Sequence, residues 1–277
     1  MNLNHPIIKI SKQLLPPILL ILFKKIMGRH PIKFVKQPSW EVAIQNCEGY
    51  DSESLITKTK ESAKLVASGL AVYERDSVIF EEIQYSFPLL ASLLFIAANN
   101  NSLRVIDFGG SFGTTFQQNK KFLGKLEINC EWRIVEQPKI TQIGKMEFAT
   151  KKLSFYNSID EATKDGYDVM LFSSSLCYIA DPYSQIRKTI AINAQYIIID
   201  RTPIHNEEND SFSIQHTPSS IYKASYPIRN FSYAKLIKTL TEHYDLIEEW
   251  KSDLQPDPSS VSMGFLFKLK TENHFNN

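Results

Sequence analysis

The chain is poor in the features that mark whole classes of protein. Its three cysteines, Cys47, Cys130 and Cys177, are scattered and odd in number. That excludes a disulfide framework and a cysteine metal cluster, and a reducing cytoplasm is the expected compartment. Net charge is nearly absent, 31 Lys and Arg against 30 Asp and Glu leaving +1. No global field draws such a chain to nucleic acid, so no nucleic-acid partner is expected. No internal repeat is present, which excludes solenoids and propellers. Histidines and carboxylates do not fall into a metal-ligand spacing, so no metal is expected.

Long apolar runs are also missing. The stretch Leu14 to Phe23 is apolar throughout but contains Pro16-Pro17, and a bilayer span needs about 20 residues. No small-residue cleavage site follows it, so a secretory signal is not expected. Lysines flank it at Lys9, Lys12, Lys24 and Lys25. Residues 14–27 therefore have two readings: packing on the folded domain, or peripheral contact with an anionic membrane surface, the inner face for a cytoplasmic protein.

What the chain does have is a good globular composition, 43% hydrophobic and 22% charged, which fits a packed domain. Its centre is Val105-Ile106-Asp107-Phe108-Gly109-Gly110-Ser111-Phe112-Gly113. Val105 and Ile106 are the β-branched residues of a strand covered on both faces. Gly109 and Gly113 allow positive φ or close approach of a ligand to bare backbone. Thr114 to Phe122 reads as a helix whose N-terminal amides point at that ligand. The dinucleotide pattern G-x-G-x-x-G is broken, because Ser111 and Thr114 stand at its second and third glycine positions. A nicotinamide-type oxidoreductase is therefore disfavoured. Asp107, two residues before the first glycine, suits a cationic ligand better than a pyrophosphate.

A second strand, Cys130 to Val135, ends at Glu136. That acid stands about where nucleotide-binding α/β folds place a ribose-binding carboxylate, roughly 20 residues on. Alternation continues through strands at Leu153 to Phe155, Asp168 to Phe172 and Tyr196 to Ile199, the last stopping at Asp200. Helices are expected from about residue 52 to 68, over Ser86 to Ala98, after Ser158, from Pro182 to about Asn193, and over Ser232 to His243. Tyr85 and Phe87 are expected in the core, with a place on the cleft wall as the alternative. Tyr244 to Trp250 and Val261 to Leu269 close the chain as two strands. The expected fold class is α/β, a doubly wound, mostly parallel sheet with a terminal antiparallel strand and a helical N-terminal extension. The expected divisions are 1–84 for the extension, 85–270 for the main domain and 271–277 for a frayed tail. Residues 201–230 show no clear periodicity and read as a lid or substrate loop.

The Asp-x-Gly-x-Ser-x-Gly turn resembles the first motif of class I S-adenosylmethionine-dependent methyltransferases, with Ser111 in place of the usual glycine. Further stretches resemble a narrower group of methyltransferases, associated with O-antigen and capsular polysaccharide clusters. They are Leu15-Pro16-Pro17, Pro38-Ser39-Trp40-Glu41, Gly49-Tyr50-Asp51, Val135-Glu136, Ser173 to Tyr178, Asp181-Pro182-Tyr183, Ile199-Asp200-Arg201-Thr202-Pro203, Gln215, Tyr222 and Tyr226-Pro227. The resemblance implies S-adenosylmethionine as cofactor and a small-molecule or saccharide acceptor. It implies that Gly109, Gly110, Ser111 and Gly113 cradle the methionine part, that Asp107 holds its ammonium directly or through water, and that Glu136 takes the ribose. Ser158 and Asn157 are candidates for the adenine edge, with helix capping as the alternative for Ser158. Ser173 and Ser174 are expected near the methyl group.

Methylation of a hydroxyl needs a group to take its proton. Asp200, His205 and His216 are the candidates. Asp200 has two other readings, an ion pair with Arg201 or a metal ligand. Cys177, in an apolar setting, reads as plain core. The alternative to an enzyme is a non-catalytic cofactor-binding or scaffold protein at a polysaccharide assembly site.

Overall fold

The computed structural model describes residues 32–47, 53–218, 224–252 and 257–271. The apolar run at 14–27, Gly49-Tyr50-Asp51, Tyr222 and the expected tail beyond 271 lie outside the described residues. Strands β1 (Lys33–Gln37), β4 (Ser102–Phe108), β5 (Asn129–Val135), β6 (Leu153–Tyr156), β7 (Val169–Ser173), β8 (Tyr196–His205), β9 (Ser211–Thr217), β10 (Ala224–Ser232), β11 (Tyr244–Lys251) and β12 (Val261–Leu269) form one ten-stranded sheet. The short strands β2 (Tyr73–Arg75) and β3 (Val78–Phe80) form a separate hairpin. Helices α1 (Trp40–Gln45), α2 (Glu53–Ala67), α3 (Phe87–Asn100), α4 (Thr114–Leu123), α5 (Pro138–Glu147), α6 (Ile159–Ala162), α7 (Pro182–Ala191) and α8 (Tyr233–Thr241) connect them.

The centre of the sheet runs β6-β5-β4-β7-β8, and every pair in it is parallel. β12 then pairs antiparallel with β8, and β11 pairs antiparallel with β12. This is the expected doubly wound, Rossmann-like sheet with its terminal antiparallel strand. Alternation along each strand sends neighbouring side chains to opposite faces. Val105, Leu171 and Ile198 join Leu93, Ile96 and Trp132 in one core layer. Ile106, Met170, Phe172, Ile197 and Ile199 join Phe231, Phe265 and Phe267 in the other. Strands apolar on both faces are what helix-covered parallel sheets require.

Most expected elements fall within two residues of the observed ones, with three departures. First, residues 201–230 are not an irregular lid. β8 continues past Asp200 to His205, and β9 and β10 form an antiparallel pair. β7 pairs with β8 from Tyr196 to Asp200, and β10 takes over at Ile204 and His205. The switch occurs at Arg201, whose φ is +51°. Second, the described part of 1–84 is not purely helical. β1 pairs along β9 and so extends the main sheet. Third, Phe87 lies on the surface, 63% exposed, stacked on Tyr85 with ring centroids 5.5 Å apart. Among the described residues no helix is long and apolar enough to cross a membrane.

Candidate active site

Parallel pairing brings the carboxyl ends of β4, β5, β7 and β8 to one edge of the sheet. Phe108 lies opposite Val135, and Ser173 lies opposite Asp200. In such sheets ligands bind beyond these ends. A cavity of about 560 Å³ opens there, within the range of small-molecule sites. Gly109, Gly110, Ser111, Glu136, Asn157, Ser173 and Ser174 line it. The N-terminal region contributes Ile56 from α2 and Glu74, Arg75 and Asp76 from the β2–β3 hairpin. The β9–β10 pair contributes Gln215, Thr217 and Tyr226.

The glycine turn is held from three sides. Gly109 has φ +73°, and its N–H donates to Val135 O at 2.9 Å. A Cβ on Gly110 would lie 2.6 Å from Asp107 Cγ, so the bare backbone there lets the turn close over that carboxyl group. Ser111 adopts φ +51°, which costs a non-glycine residue about 1–2 kcal/mol. Its N–H donates to Glu136 Oε1 at 3.0 Å, and Gln137 N–H donates to Glu136 Oε2 at 3.0 Å. The acid ending β5 is thereby fixed against the turn ending β4. Gly113, at φ +96°, caps α4 and does not reach the cavity wall.

Asp107 departs from expectation. It is 1% exposed and faces inward under the turn, where Trp132 Nε1 donates to Oδ2 at 2.9 Å. Its Oδ1 is buried without a hydrogen-bond partner. Burial pushes the carboxyl up to about 7, against the indole hydrogen bond and the Arg201 charge, while Glu136 adds to the rise. Asp107 therefore supports the turn from below and does not line the cavity.

Asp200 has a parallel setting at the end of the parallel-paired part of β8. It is fully buried, accepting from Trp250 Nε1 at 3.0 Å and from Ser173 Oγ at 3.4 Å. Burial raises its pKa against Arg201 and these hydrogen bonds. It does not line the cavity. His205 and His216 also lie elsewhere. His205 is held among Asn230 O, Ser211 Oγ and Glu207 N–H at 3.1–3.2 Å, and His216 is exposed on β9. None of the three candidate bases reaches the wall, because β8 continues as a strand where a lid was expected. Ser158 caps α6 by accepting from Glu161 N–H at 3.2 Å, whereas its neighbour Asn157 does line the cavity. Burial pushes the Cys177 thiol up to about 12, as fits a core residue. No His, Cys, Asp or Glu cluster suited to a metal is present among the described residues.

Further wall groups have no role assigned from the sequence, although Arg201, Gln215, Thr217 and Tyr226 fall in the stretch expected to be a lid or substrate loop. Glu74 is 2% exposed and accepts a hydrogen bond from Thr114 Oγ1. Desolvation raises its pKa. Arg201 donates from Nε and Nη2 to Ser173 Oγ at 3.2 and 3.0 Å. Burial alone would lower its pKa, but the charges of Asp200, Tyr73, Asp76 and Asp107 outweigh it. Tyr178 OH donates to Gln215 Oε1 at 3.3 Å, and Gln215 Nε2 donates to Tyr226 OH at 2.9 Å. Thr217 Oγ1 lies 3.1 Å from the same hydroxyl. That chain makes one wall a row of hydrogen-bonding groups.

No family model and no curated protein sequence matches the chain. Solved structures similar in chain path include the N-terminal domain of EvdMO1, determined in the presence of SAH and D-fucose. It is 14% identical, with a TM-score of 0.46, over 80% of this chain and 98% of its own. Magnesium protoporphyrin IX methyltransferase (ChlM) from Synechocystis PCC 6803, with bound SAH, is 12% identical. Its TM-score is 0.45, over 77% of this chain and 99% of its own. The Burkholderia thailandensis 1,6-didemethyltoxoflavin-N1-methyltransferase is 13% identical, with a TM-score of 0.42, over 81% and 95%. At these values the likeness carries no argument about activity, and the functional reading rests on the site.

Proposed function

We propose that the protein is an S-adenosylmethionine-dependent methyltransferase acting on a hydroxyl of a small, polar, sugar-like acceptor. The observation that carries this reading is the Glu136 carboxylate, fixed by Ser111 and Gln137 amides on the wall of the cavity. A carboxylate at the end of the strand next to a glycine turn is the arrangement that takes ribose hydroxyls. Val135, Pro138 and Ile140 beside it offer an apolar slot for a base, and Asn157 offers its polar edge. The residues fit the cationic end of the cofactor too. Gly109 and Gly110 line the cavity, and the buried carboxyl group of Glu74 supplies a hydrogen-bond acceptor on the same wall. Glu74 thus takes the role expected of Asp107.

The cofactor supplies an electrophilic methyl group on a good leaving group, so the protein mainly has to align donor and acceptor. Ser173 and Ser174, at the end of β7, edge the cavity near its middle strands. The Tyr178, Gln215, Tyr226 and Thr217 wall matches an acceptor rich in hydroxyls. A surface-polysaccharide precursor is such an acceptor, in keeping with the sequence resemblance.

Calorimetry with S-adenosylmethionine tests the cofactor. Binding is expected to be lost or weakened at least tenfold in Glu136→Ala, as for loss of a charged hydrogen-bonding group. No heat with the unaltered protein sinks the proposal. Mass spectrometry of cell-surface glycans with and without the protein tests the acceptor through the mass of one CH2 group. Cofactor binding with no such change in any glycan favours the non-catalytic alternative.

A further inference from the structure

Arg201 stands apart from the other groups on this wall. It holds a left-handed conformation, φ +51°, at the point where β8 changes partners. A non-glycine residue there is strained, and such strain persists where surrounding structure dictates it. The result is a guanidinium, 14% exposed, on the cavity wall.

Its bonding is lopsided. A guanidinium has five N–H donors. The Nε–Nη2 edge is spent on one neutral oxygen, Ser173 Oγ. Among the described residues the nearest carboxylate oxygen, Asp200 Oδ2, is 3.7 Å from Nε, too long for a hydrogen bond. Asp200 spends its own acceptors on Trp250 and Ser173. The other carboxylate acting on Arg201 from the hairpin, Asp76, forms no ion pair with it within 4 Å among the described residues. Among those residues the Nη1–Nη2 edge has no acceptor. That edge is the fork that binds a carboxylate or phosphate through two parallel hydrogen bonds. The other cation of the wall, Arg75, lies over the Phe80 ring at 5.4 Å.

We infer that Arg201 is a specificity-determining residue that binds an acidic group, carboxylate or phosphate, on the methyl acceptor. The acceptor is then an anionic, hydroxyl-bearing molecule, its hydroxyls against the Tyr178–Gln215–Tyr226 wall and its acid against the free fork. This rests on reading the cavity as a methyl-transfer site, and the test separates the two.

The test is titration calorimetry of the protein saturated with S-adenosylhomocysteine, using inorganic phosphate, D-glucuronate and D-glucose as probes. The two sugars share a ring and differ in a carboxylate. Expected is single-site binding of phosphate or glucuronate, with glucose at least about tenfold weaker. Phosphate alone points to a phosphorylated acceptor, and glucuronate alone to an acidic sugar. Arg201→Gln is expected to abolish the preference for anions. Arg201→Lys, which keeps the charge but not the fork, is expected to weaken it and guards against misfolding of the first variant. If the protein takes up the homocysteine cofactor product but neither anion, or binds all three probes alike, the inference falls and the methyltransferase reading stands. The same holds if both variants bind the anions as the unaltered protein does. Failure to bind S-adenosylhomocysteine sinks both.

Discussion

Replacing Asp107 with Asn should change how stability depends on pH more than it changes stability at any one pH. The buried carboxyl titrates near 7 in the folded protein, against an ordinary value of 3.8. Between those values the folded state holds a proton that the unfolded chain has released. Stability contributed by the protonated group is fully present below 3.8 and is lost as pH rises through 7. At about 1.4 kcal/mol per pH unit the whole window is worth about 4 kcal/mol. Roughly 2–3 kcal/mol of this falls between pH 5 and 8. Because Asp107 is 1% exposed, solvent screening takes little from that figure. Asp107→Asn keeps an oxygen for Trp132 Nε1 and has nothing to titrate. Guanidinium unfolding of both proteins at pH 5, 6, 7 and 8 is the assay. Asp107→Asn should gain about 2–3 kcal/mol on the unaltered protein across the series. Profiles parallel to within about 0.5 kcal/mol would refute a buried, proton-holding Asp107.

Other substitutions follow from the same geometry. Gly110→Ala places a methyl 2.6 Å from Asp107 Cγ, so it should cost about 1–3 kcal/mol in urea unfolding and weaken cofactor binding by displacing the turn. Trp250→Phe removes the 3.0 Å donor to Asp200 and should cost about 1–3 kcal/mol, read by the same assay. His216→Ala alters an exposed side chain away from the cavity. Its stability should stay within about 0.5 kcal/mol, and calorimetry should find cofactor affinity unchanged.

The parts of the fold that repeat a local period could be read directly. The parallel strands are apolar runs, Asp181-Pro182 starts a helix with Asp181 accepting from Ser184 N–H at 2.9 Å, and Gly109 marks the turn after β4. The Glu136 position followed from strand order, and the structure links it to that turn. The sequence misled where polar and apolar residues mix without period. β9 and β10 carry Gln215, His216, Thr217, Ser225 and Arg229, which resemble a loop, because both faces of the pair serve side-chain networks. Arg229, for example, pairs with Asp210 at 2.9 Å and lies over the Phe212 ring. The hairpin carrying Glu74 is only three residues a side, too short for periodicity to register. The partner of Asp107 could not be foreseen either. Trp132 lies 25 residues away, and only parallel registration of β4 on β5 brings the two together.

The two acid–indole pairs explain why acids stand at positions 107 and 200 although neither meets the cavity. Each closes the carboxyl end of a strand whose next residues must leave the sheet or change partners. Asp107, with Trp132, fills the space under Gly110, and Asp200, with Trp250, lies under Ser173 and Arg201. A leucine at either position would supply bulk and leave an indole N–H buried without an acceptor, a loss of about 1–3 kcal/mol. An ionised acid in both places would bury two negative charges close to one guanidinium. The rise of the Asp107 pKa to about 7 removes much of that excess near neutral pH. Arg201 then answers Asp200 from 3.7 Å while lining the cavity. The raised Asp107 pKa thus lightens the negative charge under the floor of the site and leaves the wall groups, Glu136, Glu74, Arg75, Asp76 and Arg201, to set what the cavity will hold.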